Sequence, residues 1–370
     1  MLDKNLFIKA YCRLDGLEQL SQTDWSNFLR ILRAKSLTAS YYRRLCNKGL
    51  ESVIPDYCRN AFISAVRFAD AQAHQTRTQA LKICRLSADH NIPIIFLKGA
   101  AYTLSQTQNS LGRLMSDIDI CVAREQISQL EAALLDCGWS FKDIDEHDDK
   151  YYRAWSHELP PLKHDEDGVV LDVHHTLLPP IKGRLINVKD LLHSASGRDS
   201  FPVPSLEWLV LHSTLHLILN EDVENGLRDL TDVYALLLGD HSENNNLDKN
   251  VVKAKALFVR EGFKTEWLIL TNLLAYYFDF PLNNDTPDKL SVYAKVRLRC
   301  LKSATLPNFS FLRSSSDNVL SDLNYLLGYQ SKMPISILLQ QAGYKLYRNC
   351  TKLVFGEYYF RKKKGIKEQS

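Results

Sequence analysis

This chain has no disulfide or zinc framework: its eight cysteines (12, 46, 58, 84, 121, 137, 300 and 350) contain no CxxC pair. Scattered through apolar helical and strand patterns, they read as reduced, buried thiols of a cytoplasmic protein. Charge of one sign is not in excess either. Lys and Arg number 46 against 43 Asp and Glu, a formal net charge of +3, too near neutral to argue for wholesale nucleic-acid binding. Long apolar runs are missing too. The most apolar stretches, Trp208 to Leu219 and Trp267 to Phe280, are broken by His, Ser, Thr and Asn. They fall short of the ~20 residues a membrane span needs and read as buried core helices. Met1 to Lys9 has neither a long apolar region nor a small-residue cleavage site, so no export signal is expected. No internal repeat is evident, and low complexity is confined to 243–246 and the basic stretch 361–364.

What the chain does have is bulk: 370 residues at 45% hydrophobic composition, enough for a large core and two or three packed units. From Leu2 to about His90 the pattern is helical, with Phe28, Ile31 and Leu32 or Phe62 and Val66 at three- and four-residue spacing. Strand signals start after Pro93, where Ile94-Ile95-Phe96-Leu97 runs into Lys98-Gly99 and a helical stretch, Ala100 to Gln106. A second strand covers Asp117 to Val122, an amphipathic helix Glu125 to Asp136, and a third strand starts after Gly138. The acidic run Asp143 to Asp149 reads as a solvated loop. Asp167-Gly168 is a hairpin dipeptide leading to a strand at Val169 to His174. Ser205 is the expected N-cap of a return to helix, which continues over Leu206 to Asn220, Gly226 to Leu238 and Trp267 to Phe278.

The chemistry concentrates in Gly112-Arg113 followed by Asp117-Ile118-Asp119-Ile120. Alternation along a strand puts Asp117 and Asp119 on one face and Ile118, Ile120 and Val122 on the other. Two carboxylates side by side repel, and a divalent cation is the usual remedy. In the later strand Asp172 and His174 share a face opposite Leu171 and Val173. Asp117, Asp119 and Asp172, brought to one sheet edge, would make an oxygen-rich site suited to Mg²⁺ or Mn²⁺. Lys98-Gly99 stands at a helix N-terminus, where free N–H groups and the helix dipole favour a triphosphate.

Leu97-Lys98-Gly99-Ala100-Ala101, Gly112-Arg113 three residues before Asp117-Ile118-Asp119, and Leu171-Asp172-Val173-His174 together resemble a family of mostly uncharacterised bacterial nucleotidyltransferases of the polymerase-beta-like superfamily. The resemblance spans roughly Ile92 to Leu238 and extends to His216, Arg228 and Asp232, which match its recurring His and Arg-x-x-x-Asp positions. It implies an α/β (α+β) nucleotidyltransferase core with a small mixed sheet over 91–200, flanked by helical regions over 1–90 and 201–370. By the same resemblance Asp117 and Asp119 bind the catalytic metals and Asp172 is the third carboxylate, assisting deprotonation of the acceptor. Lys98, Gly99 and Arg113 then contact the nucleotide, although the wider superfamily carries Gly-Ser where this chain has Lys98-Gly99. The implied reaction moves a nucleoside monophosphate from an NTP, ATP foremost, to an acceptor that the sequence does not identify.

Blander readings stand beside these. Asp172 could pair with Lys163 or Arg184. Arg228 and Asp232, spaced i, i+4, could form a helix-surface ion pair or wall the pocket. His212 and His216 share the i, i+4 spacing of a zinc protease, but Ser213 stands where its Glu would be. His212 therefore reads as a packing residue, and His174 as a residue behind the carboxylates or a surface one. A catalytically silent nucleotide- or protein-binding module is the alternative to the enzyme. Binding of RNA or anionic lipid rests only on the basic segment Tyr344 to Lys364.

Overall fold

The computed structural model of the chain describes residues 1–142, 152–153, 156–179, 184–195, 201–239, 246–281 and 289–332. The acidic run 143–149, most of the patch 243–246 and the basic segment 344–364 lie outside the described residues.

The first ninety residues are helical, as their periodicity predicts. Helices α1 (Lys4–Ile8), α2 (Gln22–Ala34), α3 (Thr38–Asn47) and α4 (Asp56–Asp89) pack through an aromatic ladder. Tyr11 stacks on Phe7 and Tyr41, and Phe28 meets Phe7 and Tyr41 edge-on. Ser21 and Asp24 form a reciprocal capping box that starts α2. The 34 residues of α4 extend roughly 50 Å at 1.5 Å per residue and back onto the α/β core that follows.

That core is a five-stranded mixed sheet in the order β1-β2-β5-β4-β3, with β1 (Ile94–Leu97), β2 (Ile118–Val122), β3 (Trp139–Phe141), β4 (Leu162–His164) and β5 (Val170–His174). All neighbours are antiparallel except β2 and β5. Helix α5 (Lys98–Ser105) follows β1 without a spacer, and α6 (Ile127–Asp136) links β2 to β3. The Asp167-Gly168 turn joins β4 to β5 with Gly168 at φ +71°, the left-handed conformation such a turn requires. β2 differs from a half-buried strand: all five of its residues are buried, because Asp119 and Cys121 are covered on their own face.

The remaining helices are α7 (Val188–His193), α8 (Leu206–Leu219), α9 (Gly226–Leu238), α10 (Asn246–Arg260), α11 (Lys264–Phe278), α12 (Val292–Ala304) and α13 (Ser315–Lys332). Every residue from Trp208 to Leu215 is buried, since α8 packs against α5, α9, α10, α11 and α13. Its burial on every side therefore reports encirclement by protein. Ser205 occupies the expected N-cap position, but its hydroxyl makes no capping bond. No helix among the described residues is long and apolar enough to cross a membrane. The seven described cysteines are all free thiols.

Candidate active site

Parallel pairing of β2 and β5 aligns Asp119 with Asp172 across the ladder, and Cys121 with His174. Neighbouring strands lie about 4.8 Å apart, so the two carboxylates stand side by side on the face that also carries His174. Asp119 is 2% exposed and its Oδ1 accepts from two directions. Lys98 Nζ donates to it at 2.7 Å, and His174 Nε2 lies 3.0 Å away. Burial opposes the charge on Asp119, but Lys98 and His174 hold the carboxyl well below the usual carboxylate range. Burial likewise opposes the Lys98 ammonium, and the negative charge of Asp119 raises its pKa overall.

Asp172 has the opposite fate. Its Oδ1 is buried without a hydrogen-bond partner among the described residues. Burial, and then the charges of Asp119, Glu158 and Asp117, push its carboxyl up to about 7. Neither sequence-level partner neutralises it: Arg184 is committed to Glu266 at 2.7 Å, and Lys163 points to solvent from a strand whose flanking residues are buried. Asp117 precedes β2, half-buried, and its charge acts on both Lys98 and Asp172. The loop that carries it is pinned by Gln72 of α4, whose amide donates to the Met115 carbonyl at 2.8 Å and accepts from the Met115 N–H at 3.0 Å.

The Lys98 turn is strained. Lys98 has φ +44°, a left-handed conformation that costs a residue with a Cβ on the order of 1–2 kcal/mol. The turn directs the lysine back across β2 onto Asp119, which holds it there. Gly99 has its own reason to be glycine: a Cβ there would collide with the Arg113 guanidinium. Arg113 is buried, donates through Nε to Asp232 Oδ2 at 2.7 Å and lies over the Tyr102 ring at 5.3 Å. Gly112, at φ +74°, admits the chain to this position because its missing Cβ would lie 2.6 Å from the Ala39 backbone.

Asp232 therefore binds Arg113, while Arg228 contacts its neighbour Asp229 at 3.3 Å. His216 Nδ1 also reaches Asp229, at 3.5 Å. Asp232 of α9 thus braces the arginine of the Gly112-Arg113 loop instead of pairing with Arg228. His212 is buried, 6.3 Å ring to ring from His174, and burial beside Lys98 keeps it neutral. Ser213 bonds the Tyr102 hydroxyl.

Glu158 and His157 carry no sequence signal, because they lie in an extended approach to β4 without periodicity. Glu158 forms an isolated antiparallel bridge with His174, and its carboxylate is 3.5 Å from His174 Nδ1. His157, Glu158 and His174 present one ligand atom each within 4.8 Å of one another. This mixed nitrogen–oxygen set adjoins the all-oxygen set of Asp117, Asp119 and Asp172. The first suits a transition ion, and the second a hard cation such as Mg²⁺. Among the described residues Asp117, Asp119 and Asp172 do not form such a close group; what fits a cation there is the Asp172 oxygen, buried without a partner among the described residues beside Asp119.

The strand-turn-helix element and the aligned carboxylates thus meet at Asp119 on a mixed sheet. Comparison with known families gives the class its name: residues 21–263 match the family described as uncharacterised nucleotidyltransferase, and the chain belongs to it. The protein is thus an enzyme of the nucleotidyltransferase class. No curated protein and no solved structure matches the chain.

Proposed function

We propose that this enzyme transfers a nucleoside monophosphate from an NTP, ATP foremost, to a hydroxyl or similar group of its acceptor, with release of pyrophosphate. The acceptor oxygen bonds to the α-phosphorus, the bond from that phosphorus to the bridging oxygen breaks, and pyrophosphate leaves. Asp117, Asp119 and Asp172 would hold Mg²⁺ or Mn²⁺, which when bound neutralises charge on the triphosphate and the leaving group. Asp172 takes the acceptor's proton, for which a carboxyl near pKa 7 is suited. Lys98 and the N–H groups of the Gly99 turn receive the phosphates. Arg113, held by Asp232, shapes the back of that turn. The reading rests above all on the alignment of Asp119 with Asp172, whose free oxygen has no partner among the described residues. The free thiols support a cytoplasmic setting.

A second reading, a silent nucleotide- or protein-binding module, draws on one observation: Asp119 already carries an internal cation in Lys98. Titration calorimetry with each NTP, with and without Mg²⁺, separates the two when run beside Asp117→Asn and followed by assay of pyrophosphate release. Metal-dependent binding of one NTP, lost in the variant, supports the enzyme. Binding that ignores both metal and variant supports the module.

A further inference from the structure

Away from the carboxylates, the turn of helix over Lys9–Arg13, α3 and α9 enclose a cavity of about 300 Å³, the size of a small-molecule site. Six of its lining residues are cationic and two are acidic. Four of the six cations are already paired with carboxylates. The other two, Arg44 and Lys48, have no carboxylate partner among the described residues. Arg44 is held in place rather than left loose: Nη2 donates to the Cys12 carbonyl at 2.9 Å, and the guanidinium lies 5.2 Å over the Tyr11 ring. Its Nη1, however, is buried with no acceptor among the described residues.

A second feature of the same cavity is independent of charge. Asn109 lines it, is 8% exposed, and neither its amide nitrogen nor its oxygen has a partner among the described residues. Buried carboxamides are almost always satisfied, so this one calls for a group that both donates and accepts, as a hydroxyl does. Arg113 connects the cavity to the reaction site, since it lines one and its guanidinium covers Gly99 of the other.

We propose that this cavity binds the acceptor, and that the acceptor is a small hydroxyl-bearing organic anion such as a sugar phosphate. Its anionic group is held by Arg44 and Lys48, and a hydroxyl by Asn109. The acceptor role rests on the transferase reading above; the anion site itself does not.

Calorimetric titration with glycerol 3-phosphate, inorganic phosphate and uncharged glycerol, with ATP·Mg²⁺ titrated separately, tests it. Wild type should bind glycerol 3-phosphate more tightly than phosphate and should not bind glycerol. Arg44→Gln should weaken glycerol 3-phosphate at least tenfold, as loss of a charged hydrogen-bond donor does. Lys48→Gln, at an exposed position that does not threaten folding, should weaken it about threefold. Asn109→Leu should bring glycerol 3-phosphate down to the level of phosphate. ATP·Mg²⁺ affinity should stay within twofold throughout. Wild-type affinity for glycerol 3-phosphate in Arg44→Gln and Lys48→Gln overturns the site, as does failure of wild type to bind it. A parallel loss of ATP·Mg²⁺ in Arg44→Gln makes the cavity the nucleotide's own and overturns the acceptor assignment. Wild type that binds glycerol 3-phosphate but no NTP sustains the anion site and defeats the transferase reading.

Discussion

Two polar clusters in this protein solve opposite electrostatic problems. At the sheet edge, Asp117, Asp119, Asp172 and Glu158 crowd together, and the chain answers with a single lysine and a histidine, so that Asp119 stays ionised while Asp172 is pushed towards neutrality. In the cavity between α3 and α9 the surplus is positive, and two of its six cations lack a carboxylate partner among the described residues. The first cluster is short of positive charge and the second of negative charge. A protein that needs both a cation and an anionic ligand in order to act is expected to leave such deficits.

The strongest way to break this comparison is to remove one internal partner from each side. Lys98→Met strands the buried Asp119 carboxylate and should cost about 3–5 kcal/mol in urea unfolding. Arg44→Gln strands no carboxylate and should cost only about 1 kcal/mol. Equal losses would mean that the cavity arginine is as structural as the lysine. In the proposed reaction, Asp117→Asn should lower the rate of pyrophosphate release by a factor of roughly 10²–10³ with the fold intact by circular dichroism. Full activity in that variant would remove the carboxylate edge from the chemistry.

Asp172 sharpens the comparison through pH. Its folded pKa of about 7 lies above the unfolded value near 4, so between these values the folded protein binds more protons than the unfolded chain. Stability should therefore fall as pH rises from about 4 to about 7 in chelator. Asp172→Asn should flatten that slope, and Mg²⁺ should raise the melting temperature of wild type at pH 8 more than that of the variant. A slope unchanged in Asp172→Asn would place the proton elsewhere. A further effect is expected at the junction of the two clusters. Gly99→Ala pushes against the Arg113 guanidinium and should cost about 1–3 kcal/mol. Restoration of that loss in Gly99→Ala combined with Arg113→Lys would show that the guanidinium is what glycine accommodates.

Much of the reaction edge was legible along the chain. Period-two alternation put Asp172 and His174 on one face of β5, and Lys98-Gly99 fell at a strand-to-helix turn, whereas Asp117, expected on the strand with Asp119, precedes it. What alternation does not contain is register. Asp119 meets Asp172 because β5 returns beside β2 in parallel after a crossover through α6, β3 and β4, and no local pattern encodes that offset. The i, i+4 spacing of Arg228 and Asp232 pointed to a partnership that the packing does not make. The orientation of α9 against the Gly112-Arg113 loop hands Asp232 to Arg113, and Arg228 meets Asp229.

Glu158, Arg44 and Asn109 were invisible for related reasons. An acid in an aperiodic extended segment and an arginine on an amphipathic helix look in sequence like solvated side chains. Contacts with residues well separated along the chain, His174 for Glu158 and Tyr11 and Cys12 for Arg44, give them their character. Local chemistry along the chain was enough for the helical beginning, the strand-turn-helix, the carboxylate pairs and the family, because each depends on neighbours a few residues apart. Which carboxylate would be paired and which left open, and where unpaired cations would gather around a cavity, depended on long-range packing. Desolvation and charge–charge distance belong to the folded chain, and the order of its residues does not specify them.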